Sequence, residues 1–200
     1  MKFADYERIK ECVGDVYEEN ADILNTVPID IFKLASRMGF EVKFATDLIS
    51  KSEIKREAYF EYLGEKEVFG FTVYDTKRSK FVIYIDDVSA KTNKQRFSLA
   101  HEIGHIVLGH KTDSKDNEIE ADYFAGYLLC PDCIGIAKPL YNMVVDDPSC
   151  LTRLFGIAID TAYICSDHIM NRHDCNPVKN NYEKIICSCL KQAVLTKLRV

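Results

Sequence analysis

No stretch of this 200-residue chain comes near ~18 consecutive apolar residues, so a membrane-spanning helix is not expected. A secretory leader is not expected either. The start, Met1-Lys2-Phe3-Ala4-Asp5-Tyr6-Glu7-Arg8, is charged where a leader needs an apolar run, and a cytoplasmic protein is the expectation. Positive charge is in deficit: 26 Lys and Arg face 31 Asp and Glu, for a net charge of −5. A chain of that sign has no overall attraction for nucleic acid, and direct binding would require a local basic patch. The one candidate patch is Lys179, Lys184, Lys191, Lys197 and Arg199. Those charges read better as the wet side of an amphipathic helix whose apolar stripe is Ile185, Ile186, Cys189, Leu190, Ala193 and Val194, used to dock on the domain or on a partner protein. Internal repeats and low-complexity blocks are absent, and the length fits one domain, or one domain with an appendage.

Eight cysteines would suggest disulfides in a secreted chain, but in a reducing compartment they read as free thiols, several of them buried. Cys130-Pro131-Asp132-Cys133 has the CxxC spacing of redox pairs and zinc ribbons, yet no second matching pair follows; Cys187 and Cys189 are spaced CxC. His168, His173 and Cys175 cluster only loosely and define no site.

What is present is His101-Glu102-Ile103-Gly104-His105, an HExxH string. Residues at i and i+4 share a helical face, so His101 and His105 can ligate one ion while Glu102 points toward the water it carries. The run from Asn93 to Ala100 has no Gly or Pro, and Phe97, Ala100, Ile103 and Val107 recur with helical spacing. A helix is therefore expected through Leu108, with Gly109 at its C′ position and a solvated loop over Lys111 to Asn117.

A catalytic zinc takes three protein ligands and keeps one position open. Glu118 is the candidate third ligand, opening a second helix whose apolar face is Ile119, Tyr123, Phe124, Tyr127 and Leu128. Asp122 lies one turn on, placed to accept the free ring N–H of a ligating His and fix its tautomer. Glu120 points away from that pair and fits worse. The plainer reading of Glu118 and Glu120 is that acids favour a helix N-terminus.

The strings QRFSLAHEIGH (Gln95 to His105) and EIEADYFAGYLLCP (Glu118 to Pro131) resemble the ImmA/IrrE family of zinc metallopeptidases, whose patterns are RFTLAHExGH and ExEAxxFAxxLLMP. Val27 to Phe44 resembles the family's upstream helix and strand, VDPxxLAxxLGxxV. The departures are Ser98 for Thr, Gly126 for Ala and Cys130 for Met, none at a candidate ligand. The resemblance implies one Zn2+ held by His101, His105 and Glu118, with Glu102 as base. It also implies a protein substrate, a helix-turn-helix repressor of a mobile element or stress regulon. A different class of function is a zinc-stabilised interaction protein that sequesters a regulator without cutting it; Glu102 argues against it, since a structural site needs no base. A DNA-binding regulator is weakened by the charge balance.

The fold class expected is α+β: a zincin-like metalloprotease domain with a small mixed or antiparallel sheet, an HExxH helix and additional C-terminal helices. Helices are expected from Ala4 to about Glu19, with Tyr6, Ile9, Val13, Val16 and Tyr17 inward, and from Pro28 to a stop at Gly39. Strands are expected at Phe40 to Phe44, Ala58 to Leu63, Val68 to Tyr74 and Phe81 to Ile85. Leu151 to Met170 reads as one or two short helices and Asn171 to Asn181 as a polar linker. The organisation expected is a metallopeptidase domain over 1–170, with an N-terminal helix in 1–24 and the core in 25–150, then a linker and amphipathic helix over 171–200. By resemblance to zincins, an exposed edge strand ahead of the zinc helix holds substrate backbone, and Phe81, Val82, Ile83, Tyr84 and Ile85 are the candidates; an interior strand with no substrate contact is the equal alternative. An oxyanion partner, Tyr or His, is needed too, and the sequence singles out none.

Overall fold

Asp5 starts the first helix by accepting the Arg8 backbone N–H at 3.2 Å. The computed structural model describes residues 5–50, 70–88, 92–112, 114–175, 178 and 180–198. Helix α1 (Tyr6–Glu19) buries Ile9, Val13, Gly14, Val16 and Tyr17. Tyr6, expected inward, is 45% exposed, because at the helix start it packs against Tyr123, ring centroids 4.4 Å apart and planes tilted by 47°, rather than in the core. Helix α2 (Ile31–Arg37) begins later than Pro28: its cap is Asp30, whose carboxylate accepts the Lys33 N–H at 3.0 Å. Gly39, at φ +83°, ends that turn as expected.

Strand β1 (Glu41–Phe44) runs directly into a short helix, α3 (Ala45–Ser50), that periodicity does not announce. Strands β2 (Gly70–Asp75) and β3 (Lys80–Ile85) form a hairpin whose turn is held by Asp75, accepting the Lys77 and Arg78 N–H groups at 3.0 and 3.2 Å. The expected strand Ala58 to Leu63 lies outside the described residues. The sheet order is β1-β3-β2, with β3 parallel to β1 and antiparallel to β2, so the sheet is mixed. This corrects the edge assignment of Phe81 to Ile85. Val82 and Ile83 sit opposite Glu41 and Val42 on one side and Val73 and Thr72 on the other, so β3 has ladders on both flanks and cannot accept an added strand. Among the described residues, β1 and β2 are the edges.

The seven remaining elements among the described residues are helical and complete the mixed α+β fold: α4 (Thr92–Val107) packs across β2 and β3 and against α5 (Lys115–Leu129). Ile83, Ile85, Leu99, Ile103, Phe124 and Leu128 are buried where these elements meet. A 3-10 turn (Asp132–Ile136) leads to α6 (Lys138–Asp146), α7 (Cys150–Phe155), α8 (Ile159–Cys175) and α9 (Asn181–Leu198). Helix α8 runs to Cys175, so most of the first half of the expected linker is helical. Helix α9 lies against α1, and the approach depends on Gly14, where an added Cβ would stand 2.2 Å from Tyr182 Cβ.

A buried ion cluster ties these layers together. Arg172 of α8 donates to Asp132 at 2.9 Å and pairs with Glu183 of α9 at 2.5 Å, while Lys10 of α1 reaches Asp132 at 3.4 Å. The Arg172, Asp132 and Glu183 side chains are all at most 12% exposed. Removing one partner strands the others, so Arg172→Leu is expected to lower stability by about 3 kcal/mol or more, read as the shift in urea midpoint. An unchanged midpoint would show that the cluster contributes no net stability.

Candidate metal centre

Helices α4 and α5 come close because residue 104 is glycine. A Cβ there would meet the Phe124 ring at 3.0 Å and Phe124 Cβ at 3.2 Å, so the aromatic packs directly on the α4 backbone. Gly109, at φ +72°, turns the chain out of α4, and Ser114 starts α5 by accepting the Asn117 N–H at 3.2 Å. Helix α5 thus begins three residues ahead of Glu118, inside the stretch expected to be loop, because Ser114 supplies the cap. Its buried face is Ala121, Phe124, Ala125, Tyr127, Leu128 and Leu129. Ile119, expected on that face, is 37% exposed, and Tyr123 is half-buried.

The result is a convergence of three ligand atoms. His101 Nε2 and His105 Nε2 are 2.9 Å apart, with Glu118 Oε2 3.2 Å from the first and Oε1 3.5 Å from the second. A tetrahedral ion with bonds of about 2.0–2.1 Å needs ligand atoms separated by about 3.3–3.4 Å, which this triangle nearly meets. Among the described residues this is the group of His, Cys, Asp and Glu that can hold a metal. Both imidazoles are 16% exposed and Glu118 is 47% exposed, so the cluster is walled by α4 and open on the Glu118 side.

Asp122 lies where the sequence suggested, its Oδ1 2.8 Å from His101 Nδ1. With Nδ1–H donating to that carboxylate, neutral His101 turns its Nε2 lone pair toward the cluster. Burial works against a charged His101, but the Asp122 hydrogen bond and the Asp122, Glu102 and Glu118 charges outweigh it and raise the pKa. With both Nε2 atoms unprotonated, the two imidazoles and Glu118 are acceptors with no donor among them, an arrangement that a cation completes.

Glu102 is beside the triangle and outside it. It is 8% exposed, and its Oε2 accepts from Thr72 Oγ1 of β2 at 2.7 Å. Thr72 is a residue that sequence reasoning missed, since nothing in a strand pattern marks contact with a helix thirty residues away. His110 was missed also: its Nδ1 lies 3.0 Å from His105 Nδ1, and its Nε2 lies 3.3 Å from Glu120 Oε2. Glu120 does not join the ligands; it pairs with Arg8 of α1 at 2.7 Å. Phe81 to Ile85 contribute no edge to the site, whereas β2 reaches it through Thr72.

The CxxC cysteines take no part. Cys130 and Cys133 are buried free thiols; burial pushes Cys130 up, and the Cys187 thiol together with burial pushes Cys133 up. His168 packs near Tyr123, away from the triangle, and the side chains of His173 and Cys175 lie outside the described residues.

The family model described as the IrrE N-terminal-like domain, Peptidase_M78, matches residues 63–162, half of the chain. The matched segment contains α4, α5 and the whole ligand triangle, and does not extend to the Val27 to Phe44 segment. No curated protein matches the chain.

Gly104→Ala tests how far the site depends on the helix approach. The added methyl is expected to cost about 1–3 kcal/mol by overpacking against Phe124 and to weaken metal binding by moving Glu118 off the His pair. Urea denaturation and metal titration on one preparation check both; wild-type values would show that the helices adapt.

Proposed function

The chain belongs to the Peptidase_M78 family of IrrE N-terminal-like domains, and from that premise we propose that it is a zinc-dependent endopeptidase cutting a peptide bond in a protein substrate. The observation that carries the reading is the convergence of His101 Nε2, His105 Nε2 and a Glu118 oxygen beside buried Glu102. Two imidazoles and one carboxylate suit zinc, and three protein ligands leave a fourth position for chemistry. Zinc, when bound there, supplies the Lewis acidity that polarises a peptide carbonyl and makes water acidic near neutral pH.

The protein's own residues do the rest. Glu102 takes a proton from the attacking water and returns it to the leaving amine, so that one water is consumed and acid and amine ends are released. Thr72 fixes the rotation of that carboxylate from β2. Asp122 holds His101 in the tautomer a ligand needs. The open Glu118 side gives a substrate chain its approach.

The substrate we propose is a helix-turn-helix transcriptional repressor of a mobile element or stress regulon, on the strength of the family resemblance. Location in the cytoplasm and no direct contact with nucleic acid belong to the same proposal. No single helix among the described residues is long and apolar enough to cross a membrane.

The test is metal content together with cleavage of a co-encoded helix-turn-helix regulator. Wild type is expected to hold one zinc per chain and to cut. Glu102→Gln is expected to keep zinc and lose turnover by about 100-fold or more, whereas His105→Ala and Glu118→Ala lose zinc and activity together. Cleavage by zinc-replete Glu102→Gln would remove Glu102 as the base. Tight regulator binding with no cut would replace the protease by the sequestering protein.

A further inference from the structure

The two histidines of the triangle are supported from behind in different ways. His101 meets a carboxylate directly, whereas the rear nitrogen of His105 meets another imidazole, His110, at 3.0 Å. We propose that His110 is a positioning residue for His105, held in its working tautomer by Glu120 and through it tethered to Arg8 of helix α1. The proposal rests on the metallopeptidase reading for the role of His105 as a ligand.

The hydrogen-bond directions follow from one requirement. His105 can offer Nε2 to a metal only as a lone pair, so its neutral ring carries the proton on Nδ1. That N–H donates to His110 Nδ1, which must then be an acceptor. The His110 proton consequently sits on Nε2, 3.3 Å from Glu120 Oε2. Glu120 is in turn held by the Arg8 guanidinium at 2.7 Å. Every donor in the row meets an acceptor. The opposite orientation would place the His105 proton on Nε2, 2.9 Å from His101 Nε2, where it would block the ligand position.

Burial favours a structural purpose for this row. His110 is 7% exposed and Glu120 18% exposed, so water competes little for either group. The His110 ring stands edge-on to the His105 ring, centroids 5.0 Å apart, which limits rotation of the ligand by contact as well as by hydrogen bond. Arg8 and α1 lie outside the segment that the family model matches. The N-terminal helix therefore reaches the metal site through three side chains while contributing no ligand.

The experiment compares zinc dissociation constants of metal-free wild type, His110→Phe and His110→Asn, measured by competition with a chromophoric chelator. Phe keeps a ring in place and removes both hydrogen bonds; Asn restores an acceptor near the Nδ1 position. Outer supports of ligating histidines typically matter by 10–100-fold, so His110→Phe is expected to bind zinc about 10-fold or more weakly, with most of the loss recovered in His110→Asn. Circular dichroism and urea midpoints of the metal-free proteins report folding. Should His110→Phe not fold, Glu120→Leu at the more exposed end decides, with weaker zinc binding supporting the row and wild-type binding overturning it. Affinity within about twofold of wild type in folded His110→Phe would overturn the proposal, as would an Asn variant no better than Phe. A wild type that binds no zinc would overturn the metallopeptidase reading and this proposal together, whereas a zinc-binding wild type with an indifferent His110→Phe overturns this proposal alone.

Discussion

The contact on which the site depends is the one between Gly104 and Phe124. A side chain at 104 would hold α4 and α5 apart, and Glu118, one and a half turns before Phe124, would no longer reach over His101 and His105. The two helices are packed neighbours joined by a short connection, so a small change in their separation moves Glu118 by a comparable distance. Metal geometry tolerates little of that, since a bond near 2 Å is short compared with the play of a side chain. The glycine of HEIGH thus belongs to the site as a packing residue, with no donor of its own.

Electrostatics then explains why so many carboxylates gather at one place. Glu102, Glu118 and Asp122 surround His101 and favour a positive charge on it, against the burial that opposes one. A cation between the ligand atoms answers the same field. The carboxylates differ in what they touch: Glu118 faces the two Nε2 atoms, Asp122 stands behind His101, and Glu102 is turned onto Thr72. Position relative to the imidazoles, more than residue type, separates the candidate ligand from the proposed base and from the support.

Much of this is legible in the linear chain, for physical reasons. Helical period and the absence of Gly and Pro define α4, Gly109 marks its end, and the four-residue step from Glu118 to Asp122 puts both on one side of α5. These are local rules acting over one or two turns. What the chain conceals is set by tertiary approach. The sheet order that makes β3 central rather than an edge depends on β1 pairing with it from forty residues upstream. Thr72 and Arg8 meet Glu102 and Glu120 only because strand and helix pack on the α4–α5 pair, and a polar residue in a strand or an arginine on an exposed face carries no local sign of that. Ser114 hides its cap in a run of polar residues, and Pro28, a good first-turn residue, yields to Asp30 two residues further on, whose carboxylate caps the helix.

The division of the chain follows from the same geometry. The candidate ligands, the proposed base and the strand that holds it all fall in the segment matched by the family model, so the proposed chemistry belongs to β2, β3, α4 and α5. The flanking helices act on that core from outside. Helix α1 grips α5 twice, through Arg8 on Glu120 and through Tyr17, whose hydroxyl donates to the Leu128 carbonyl at 2.9 Å. Helix α9 grips α1 at Gly14, and Glu183 joins it to Arg172 and so to the turn after α5. Helix α5 carries Glu118 near its start, while its far end and the turn beyond it are clamped by α1, α8 and α9. A clamp at that end restrains the tilt of α5, and tilt is the motion that would carry Glu118 away from the histidines. The added helices therefore hold the angle at which the ligand set closes, without supplying any member of it.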